Sequence, residues 1–194
     1  MKVVIIQYNA GNTQSVSFAL QRLGIDPVIS DDPAIIQAAD KVIFPGVGEA
    51  STAMRYLRER NLDKVIPGLQ QPVLGICLGM QLLCNFSEEN DTTCLGLVPI
   101  QVKKFSSVSE KVPQVGWNTI SNLQQPLFTG IPEQSYIYNV HSYYAEHSAY
   151  TIATGNYVHE YAAAIRNNNF FGVQFHTEKS AAIGERILSN FLQL

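Results

Sequence analysis

The chain has 194 residues, of which 46% are hydrophobic and 15% are charged, and its formal net charge is −3. These values are typical of one globular α/β domain over residues 1–194 with a large apolar core. The small negative charge argues against a basic surface for nucleic acid or for a membrane. Because the N-terminal apolar run is too short for a signal peptide and no stretch approaches roughly 20 apolar residues, we expect a soluble, cytoplasmic protein.

Three cysteines are present, Cys77, Cys84 and Cys94. An odd number without metal-ligand spacing argues against a disulfide framework and against a zinc site. The sequence therefore favours a reducing compartment, and we expect neither a metal ion nor a cofactor.

The first half of the chain alternates short apolar runs with amphipathic stretches. Strands are predicted at residues 3–6, 27–29, 42–44 and 72–76, and helices at residues 14–23, 51–60 and 79–86. Strands that alternate with helices indicate βαβ units, and hence a mostly parallel central sheet with helices on both faces.

Beyond about residue 97 the pattern changes to strands separated by Pro, Asn and Gly turns. Strands are predicted at residues 98–105, 135–144, 150–153, 162–166 and 171–175, and a closing amphipathic helix at 181–192. The predicted fold class is α/β, with a parallel core and a more antiparallel, strand-rich second half.

One cysteine lies between two glycines in Gly75-Ile76-Cys77-Leu78-Gly79, after a predicted strand and before a predicted helix. We call residues 75–79 the elbow. A sharp strand-to-helix turn needs glycine for strained dihedral angles and close backbone approach. A helix N-terminus also favours a thiolate, so Cys77 is the candidate nucleophile, while Cys84 and Cys94 lack this context and are expected to be structural.

A cysteine nucleophile needs a base, and the base needs a group that orients it. His176 follows a predicted strand and precedes Glu178 by two positions, so in an extended chain both side chains project to one side. The carboxylate can then fix the imidazole tautomer, which gives the order Cys77, His176, Glu178. His147 and His159 stand in polar surroundings and are expected to be ordinary solvated residues, and His141 stays undecided.

A second glycine segment, Gly46-Val47-Gly48, ends the third predicted strand, and we call it the oxyanion loop. Since ligand sites lie beyond the carboxyl ends of parallel strands, this loop and the elbow should meet at one crevice. The amide of Leu78 and an amide of the loop, taken as that of Val47, can stabilise a developing oxyanion. Taken alone, the same loop is equally compatible with a simple tight turn.

The motifs Gly75-Ile76-Cys77-Leu78-Gly79-Met80-Gln81 and Phe175-His176-Thr177-Glu178 resemble those of the class I (triad) glutamine amidotransferase family, over essentially the whole chain. Three further signatures resemble the branch that serves imidazole glycerol phosphate synthase in histidine biosynthesis. They are Pro45-Gly46-Val47-Gly48, Gly116-Trp117-Asn118 and His141-Ser142-Tyr143-Tyr144. The resemblance implies a flavodoxin-like α/β fold.

The resemblance also implies that glutamine is hydrolysed to glutamate and ammonia through a Cys77 thioester. Carried over by motif, Gly46, Gly48 and Gln81 hold the glutamine head group, and backbone groups of Ser142 and Tyr143 close the site. The ammonia passes to a (β/α)₈-barrel cyclase subunit, which makes this chain one half of a heterodimer. The implied partner interface includes four positions: Asn12, Trp117, Asn118 and Lys179.

Some features leave alternatives open. Trp117 is the only tryptophan, in a Gly- and Asn-rich turn, and composition fits an interface anchor and a core aromatic equally well. Thr177 replaces the family's usual proline, and Gln114-Val115 replaces a common His-Met, which affects partner contacts more than chemistry. A glutaminase of pyridoxal phosphate or anthranilate synthesis and a catalytically silent binding module are the two competing interpretations.

Overall fold

The structure is a computed structural model that describes residues 1–9 and 11–194. In the first half, five helices alternate with the strands over the part of the chain that is described. The strands are β1 (Val3–Ile6), β2 (Val28–Ser30), β3 (Lys41–Phe44) and β4 (Val73–Ile76), and the helices are α1 (Thr13–Arg22), α2 (Pro33–Gln37), α3 (Ala50–Glu59), α4 (Leu62–Val65) and α5 (Leu78–Leu83).

The second half is built almost entirely from strands and closes with one long helix. The strands are β5 (Cys84–Ser87), β6 (Thr92–Thr93), β7 (Val98–Lys104), β8 (Gln114–Ser121), β9 (Ser135–His141), β10 (Tyr143–Ala145), β11 (Thr151–Tyr157), β12 (His159–Asn167) and β13 (Phe170–Val173), and the helix is α6 (Ala181–Leu192). Short 3₁₀ turns lie at Ile66–Gly68 and Thr177–Lys179.

All of these strands belong to one sheet, in the order β2-β1-β3-β4-β13-β12-β10-β7-β5-β6, with β11, β8 and β9 branching from β12. The five strands from β2 to β13 run parallel. Strand β13 comes from the second half but pairs with β4 in register, Gly172 beside Gly75 and Val173 beside Ile76. The carboxyl ends of β4 and β13 therefore lie side by side.

Apolar side chains cover both faces of the parallel strands. Val4, Ile6 and Phe44 pack into one core, whereas Val3 and Ile5 pack into the other. Strands buried on both faces read as continuous apolar runs, which is why their positions could be predicted. The start of a helix is also set by nearby residues. Asn12 caps α1, and Asp32 caps α2 just before a proline in its first turn.

The predicted α/β class with a mostly parallel core is confirmed, but three element predictions are wrong. The helix predicted at 79–86 ends at Leu83, because Cys84 turns extended and β5 pairs with β7. The strand predicted at 135–144 is interrupted at Ser142, between β9 and β10. The predicted turn at Gly116-Trp117-Asn118 is the middle of β8, which forms a long antiparallel pairing with β9.

Within residues 1–9 and 11–194, none of the helices is long and apolar enough to cross a membrane.

Candidate active site

The elbow turns sharply between β4 and α5, and Cys77 itself adopts the strained conformation, with φ 53° and ψ −110°. The flanking glycines serve close approach instead. A Cβ on Gly79 would lie 1.8 Å from the Phe44 carbonyl oxygen, and one on Gly75 would lie 2.7 Å from the Met80 amide nitrogen. The structure thus has the predicted elbow, with the strain on the cysteine rather than on its neighbours.

His176 and Glu178 meet as predicted, but by a different route. His176 Nδ1 lies 2.8 Å from Glu178 Oε1, and both side chains are almost completely buried. The chain is not extended there, because residues 177–179 form a 3₁₀ turn. The turn is held against β9, since the His176 amide donates to the Tyr138 carbonyl and the Tyr138 amide donates to the Ser180 hydroxyl at 3.0 Å.

The charges around His176 favour its protonated form. Burial lowers its pKa, but hydrogen bonds and charges from Cys77 and Glu178 outweigh burial and raise the pKa to about 10. Because Nδ1 is held by Glu178, the other ring nitrogen is the one that serves Cys77. The fold thus brings Cys77, His176 and Glu178 into one site, in an order that suits a thiolate–imidazolium pair.

Two further groups contact the Cys77 sulfur, and the sequence indicated neither. The Val140 carbonyl oxygen lies 3.8 Å from Sγ, and Gln174 Nε2 lies 3.7 Å from it. Gln174 lies next to the predicted base segment, but an apolar strand with one glutamine gave no reason to single it out. Long-range pairing of β13 with β4 brings it to the sulfur.

One of the two predicted oxyanion donors already makes a hydrogen bond within the protein. The Leu78 amide donates to the Gly46 carbonyl at 3.3 Å, so this carbonyl occupies the position that an oxyanion would take. Val47 is 40% exposed on the same loop. The oxyanion loop and the elbow do meet at one crevice, but in this conformation they satisfy each other.

A cavity of about 320 Å³ opens above Cys77. Its lining includes nine residues that the sequence pointed to: Val47, Gly48, Cys77, Leu78, Gln81, Ser142, Tyr143, His176 and Lys179. Gly46 and Glu178 lie behind this lining. Four more lining residues were missed or left undecided: Glu89, Pro113, Val140 and His141.

Glu89 is the missed residue with the clearest chemistry, since it brings a carboxylate to the cavity. One of its oxygens accepts from the Ala50 amide at 2.8 Å. Burial raises its pKa, although the Ala50 hydrogen bond acts in the opposite direction. In the sequence it follows another glutamate in a polar stretch, where it resembles any surface residue.

Tyr143 contributes a backbone carbonyl that organises the cavity wall. It accepts from Gln81 Nε2 at 3.0 Å and lies 2.8 Å from His141 Nδ1. The carbonyl of Ser142 accepts from the Phe105 amide. The carbonyls of Ser142 and Tyr143 are therefore engaged within the protein, and that of Tyr143 orients Gln81 and His141.

His141 is buried, and its position explains why the sequence left it undecided. Burial is the main cause that lowers its pKa to about 4, while the Tyr143 carbonyl raises it and His176 lowers it further. A carbonyl can only accept, so Nδ1 carries the hydrogen and Nε2 is left as an acceptor without a partner. His141 is thus a neutral imidazole in the cavity wall.

The predicted interface residues do not line one pocket. Trp117 is 54% exposed on β8 and its ring meets the Tyr138 ring edge-on, so of the two alternatives it is a surface aromatic. Asn12 accepts from the Ser15 amide as a helix cap, and Asn118 donates to the Asn156 carbonyl. Lys179 is exposed at the rim of the cavity.

The remaining cysteines fit a structural role. Cys84 and Cys94 are buried and free, burial raises the pKa of both thiols, and that of Cys94 reaches about 12. Among the residues that the structure describes, no group of three or more His, Cys, Asp or Glu side chains could hold a metal ion.

A parallel α/β sheet that carries a cysteine elbow beside a histidine–carboxylate pair defines a class of enzymes that cleave amides through a thioester. The family model for glutamine amidotransferase class-I matches residues 4–194, and the chain belongs to that family.

Curated relatives match along their whole length. The imidazole glycerol phosphate synthase subunit HisH of Bacteroides fragilis is 53% identical, with 100% of each chain covered. The protein of the same name from Bacteroides thetaiotaomicron is 50% identical, again with 100% of each chain covered. A crystal structure of a glutamine amidotransferase has a TM-score of 0.75 at 16% identity, covering 98% of this chain and 97% of that one, and supports the fold alone.

Proposed function

We propose that the chain is a single glutaminase domain, the glutamine-hydrolysing subunit of an imidazole glycerol phosphate synthase. The observation that carries the proposal is that Cys77 and His176 line one cavity, while Glu178 holds His176 Nδ1 at 2.8 Å. The relatives named imidazole glycerol phosphate synthase subunit HisH support the choice of pathway.

The chemistry proceeds in two acyl-transfer steps. The Cys77 thiolate attacks the side-chain amide carbon of glutamine, and the imidazolium of His176 gives its proton to the departing nitrogen, which leaves as ammonia. A water molecule then loses a proton to His176 and attacks the thioester, which releases glutamate and restores the thiolate. Glu178 keeps Nδ1 protonated and the ring oriented in both steps.

The cavity has the charges that a free amino acid needs. Glu89 offers a carboxylate to the α-ammonium group of glutamine, and Lys179 at the rim offers an ammonium to its α-carboxylate. The side-chain amide of Gln81 donates its N–H groups to Tyr143 and Gln174, so its oxygen is available to the substrate. Gly46, Gly48 and backbone groups of Ser142 and Tyr143 complete the proposed site.

The resting enzyme should be slow, since the Gly46 carbonyl satisfies the Leu78 amide. Activation requires the peptide between Gly46 and Val47 to turn, so that the Val47 amide and the freed Leu78 amide both face the oxyanion. Glycines on both sides of Val47 allow this at low steric cost. One missing oxyanion donor typically lowers kcat by about 10²–10³.

The partner that we propose is a (β/α)₈-barrel cyclase subunit, which receives the ammonia in a heterodimer. Trp117 is an exposed aromatic anchor, and Val115 and Tyr136 add exposed apolar surface on β8 and β9. Asn12, Asn118 and Lys179 are proposed to contribute polar contacts. Three free thiols support a cytoplasmic location for this complex.

The test is glutamate release from glutamine by the chain alone, then with a cyclase subunit and its nucleotide substrate. We expect weak basal hydrolysis, strong stimulation by partner plus ligand, and none with Cys77→Ala. Cys94→Ala is the control, because it removes a thiol away from the cavity. Stimulation that survives Cys77→Ala would rule out the mechanism. Stimulation by a pyridoxal phosphate or anthranilate synthase would assign the chain to that pathway instead.

A second experiment addresses the partner surface. Trp117→Ala should weaken cyclase binding at least tenfold, measured by calorimetry, while basal hydrolysis stays unchanged. Val28→Ala is the matched control, since Val28 is an exposed apolar residue on the outermost strand β2. Equal affinities for both variants would place the cyclase elsewhere.

A further inference from the structure

We propose that Gln174 is a catalytic residue, whose side-chain N–H donates to the Cys77 sulfur and stabilises the thiolate. The inference rests on the proposed glutaminase reaction and adds a fourth side chain to it. Gln174 follows β13, its side chain is fully buried, and Nε2 lies 3.7 Å from Sγ. A polar group buried to this degree needs partners, and the nucleophile is one of them.

The hydrogen-bond network fixes which end of Gln174 faces the sulfur. The Tyr143 carbonyl can only accept, so the group that Gln81 presents to it at 3.0 Å must be the amide nitrogen. That nitrogen also lies 2.9 Å from the Gln174 side chain, which must therefore present its oxygen. The remaining nitrogen of Gln174 necessarily points at Sγ.

The sulfur thus lies between groups that prefer different protonation states. The Val140 carbonyl at 3.8 Å suits a thiol, because only a thiol has a hydrogen to donate. The N–H of Gln174 favours a thiolate, because it can only donate and a thiolate is a stronger acceptor than a neutral thiol. A hydrogen bond to an ionised acceptor is roughly twice as strong as a neutral one, so Gln174 shifts the balance toward the thiolate.

Titratable groups approach Cys77 from every side. His176 comes from the turn after β13, His141 from β9 and Tyr8 from the segment after β1. Glu89 and Lys179 lie across the cavity, and Glu178 stands behind His176. The neutral Gln174 adds a fixed dipole to this set without adding a charge, so its effect should persist through the working pH range.

Gln174 does not line the glutamine cavity. Its loss should therefore lower kcat more than it raises KM, whereas a residue that only supported Gln81 would mainly raise KM. The separate changes in kcat and KM therefore distinguish a residue that stabilises the thiolate from one that only supports Gln81.

The experiment compares Gln174→Met, which removes the N–H at similar size, with Gln174→Glu, which keeps an acceptor for Gln81 but turns a carboxylate toward the sulfur. Gln114→Met is the matched control, because Gln114 is a buried glutamine that accepts from the Tyr161 hydroxyl. Iodoacetamide alkylation of Cys77 is followed by peptide mass spectrometry between about pH 5 and 10. Steady-state glutamine hydrolysis by the same variants gives kcat and KM.

For Gln174→Met we expect the midpoint of the alkylation profile to move upward by about one pH unit and kcat to fall roughly tenfold, with a smaller rise in KM because Gln81 loses an acceptor. Gln174→Glu should move the midpoint further, because a second anion faces the thiolate. Gln114→Met should leave the profile unchanged. If Gln174→Met does not fold, Gln174→Glu and its profile decide.

An unchanged profile in a folded Gln174 variant would overturn the proposal, and so would a raised KM with unchanged kcat. Failure of the glutaminase proposal would give a different result. In that case Cys77→Ala would retain glutamine hydrolysis, and the alkylation profile of Gln174→Met would still show whether Gln174 acts on the sulfur.

Discussion

The two halves of the chain make different contributions to one site. The first half, up to α5, provides the nucleophile and the oxyanion loop on turns that follow parallel strands. The second half provides His176 and Glu178 on a short turn, together with the exposed face of β8 and β9. The nucleophile half presents its groups on turns that follow parallel strands, whereas the base half is mostly antiparallel hairpins and reaches the site through the long-range pairing of β13 with β4.

The two halves meet where β13 pairs with β4. The Cys77 amide donates to the Val173 carbonyl at 2.8 Å, and Gln174 reaches the sulfur from the next residue. The first half therefore positions the Cys77 sulfur, and His176 and Gln174 of the second half favour its thiolate form. The predictions below test this division of roles, from the largest expected effect to the smallest.

The largest effect should come from the backbone contact beneath the elbow. Gly79→Ala should destabilise the fold by about 4 kcal/mol or more, because its Cβ would overlap the Phe44 carbonyl. Gly68→Ala, where a Cβ meets nothing within 4 Å, is the control and should change stability by less than about 1 kcal/mol. Urea unfolding measures both, and similar midpoints would mean that the elbow is not tightly packed.

Glu178→Gln tests the base half without touching the nucleophile. Loss of the carboxylate should lower kcat by about 10²–10⁴, since His176 loses the charge that fixes and stabilises its imidazolium. Glu185→Gln, in the same half but in a surface ion pair, should leave kcat unchanged. Steady-state hydrolysis is the measurement, and a loss below threefold (on the order of 1 kcal/mol or less) would remove Glu178 from the mechanism.

His141 should make stability fall in acid. The unfolded state takes up a proton near the ordinary pKa of 6.5, but the native state does so only near 4. Stability is therefore lost as pH falls between these values, by about 2 kcal/mol from pH 7 to pH 5. His141→Gln should remove this slope in thermal unfolding.

The contribution of His176 to the pH dependence of stability has the opposite sign. Its raised pKa adds stability below pH 6.5, and this stability is lost as pH rises toward about 10. It does not produce the acid slope between pH 7 and pH 5. An acid slope equal in His141→Gln and wild type would contradict the buried neutral imidazole.

The smallest effect should come from the ion pair that joins α1 to α6. Arg22 Nε lies 2.7 Å from Glu185 Oε1, and both side chains are more than a third exposed. Arg22→Ala should cost at most about 0.5 kcal/mol, because water and salt screen such pairs. A double-mutant cycle with Glu185→Ala measures the coupling, and a value above about 1 kcal/mol would mean that surface charges help to join the halves.

Sequence patterns predicted β1 to β4 and the helices α1 and α3, because buried parallel strands and amphipathic helices leave local periods, but they gave no sign of the short helices α2 and α4. They also singled out Cys77, His176 and Glu178, which the fold brings together, although the roles of these residues remain predictions. The patterns failed where a strand partner, rather than the local sequence, decides the conformation. The turn predicted around Trp117 is a strand because β9 pairs along it, and the helix predicted through Cys84 ends early because β7 pairs with the segment that follows.

Glu89 and Gln174 were missed for the same reason. Each is an ordinary residue in its local sequence, and only the fold carries Glu89 to the cavity and Gln174 to the sulfur. The Gly46 carbonyl on the Leu78 amide could not be predicted either, because a peptide between flexible residues has no sequence signature for its orientation.

The pairing of β4 with β13 has a consequence for synthesis on the ribosome. The elbow is made before its base and Gln174, which follow far along the chain. A growing chain therefore carries a cysteine without the groups that activate it, and we expect its reactivity to rise when β13 joins the sheet beside β4. We therefore expect oxidation and alkylation of Cys77 to be slow until β13 pairs with β4.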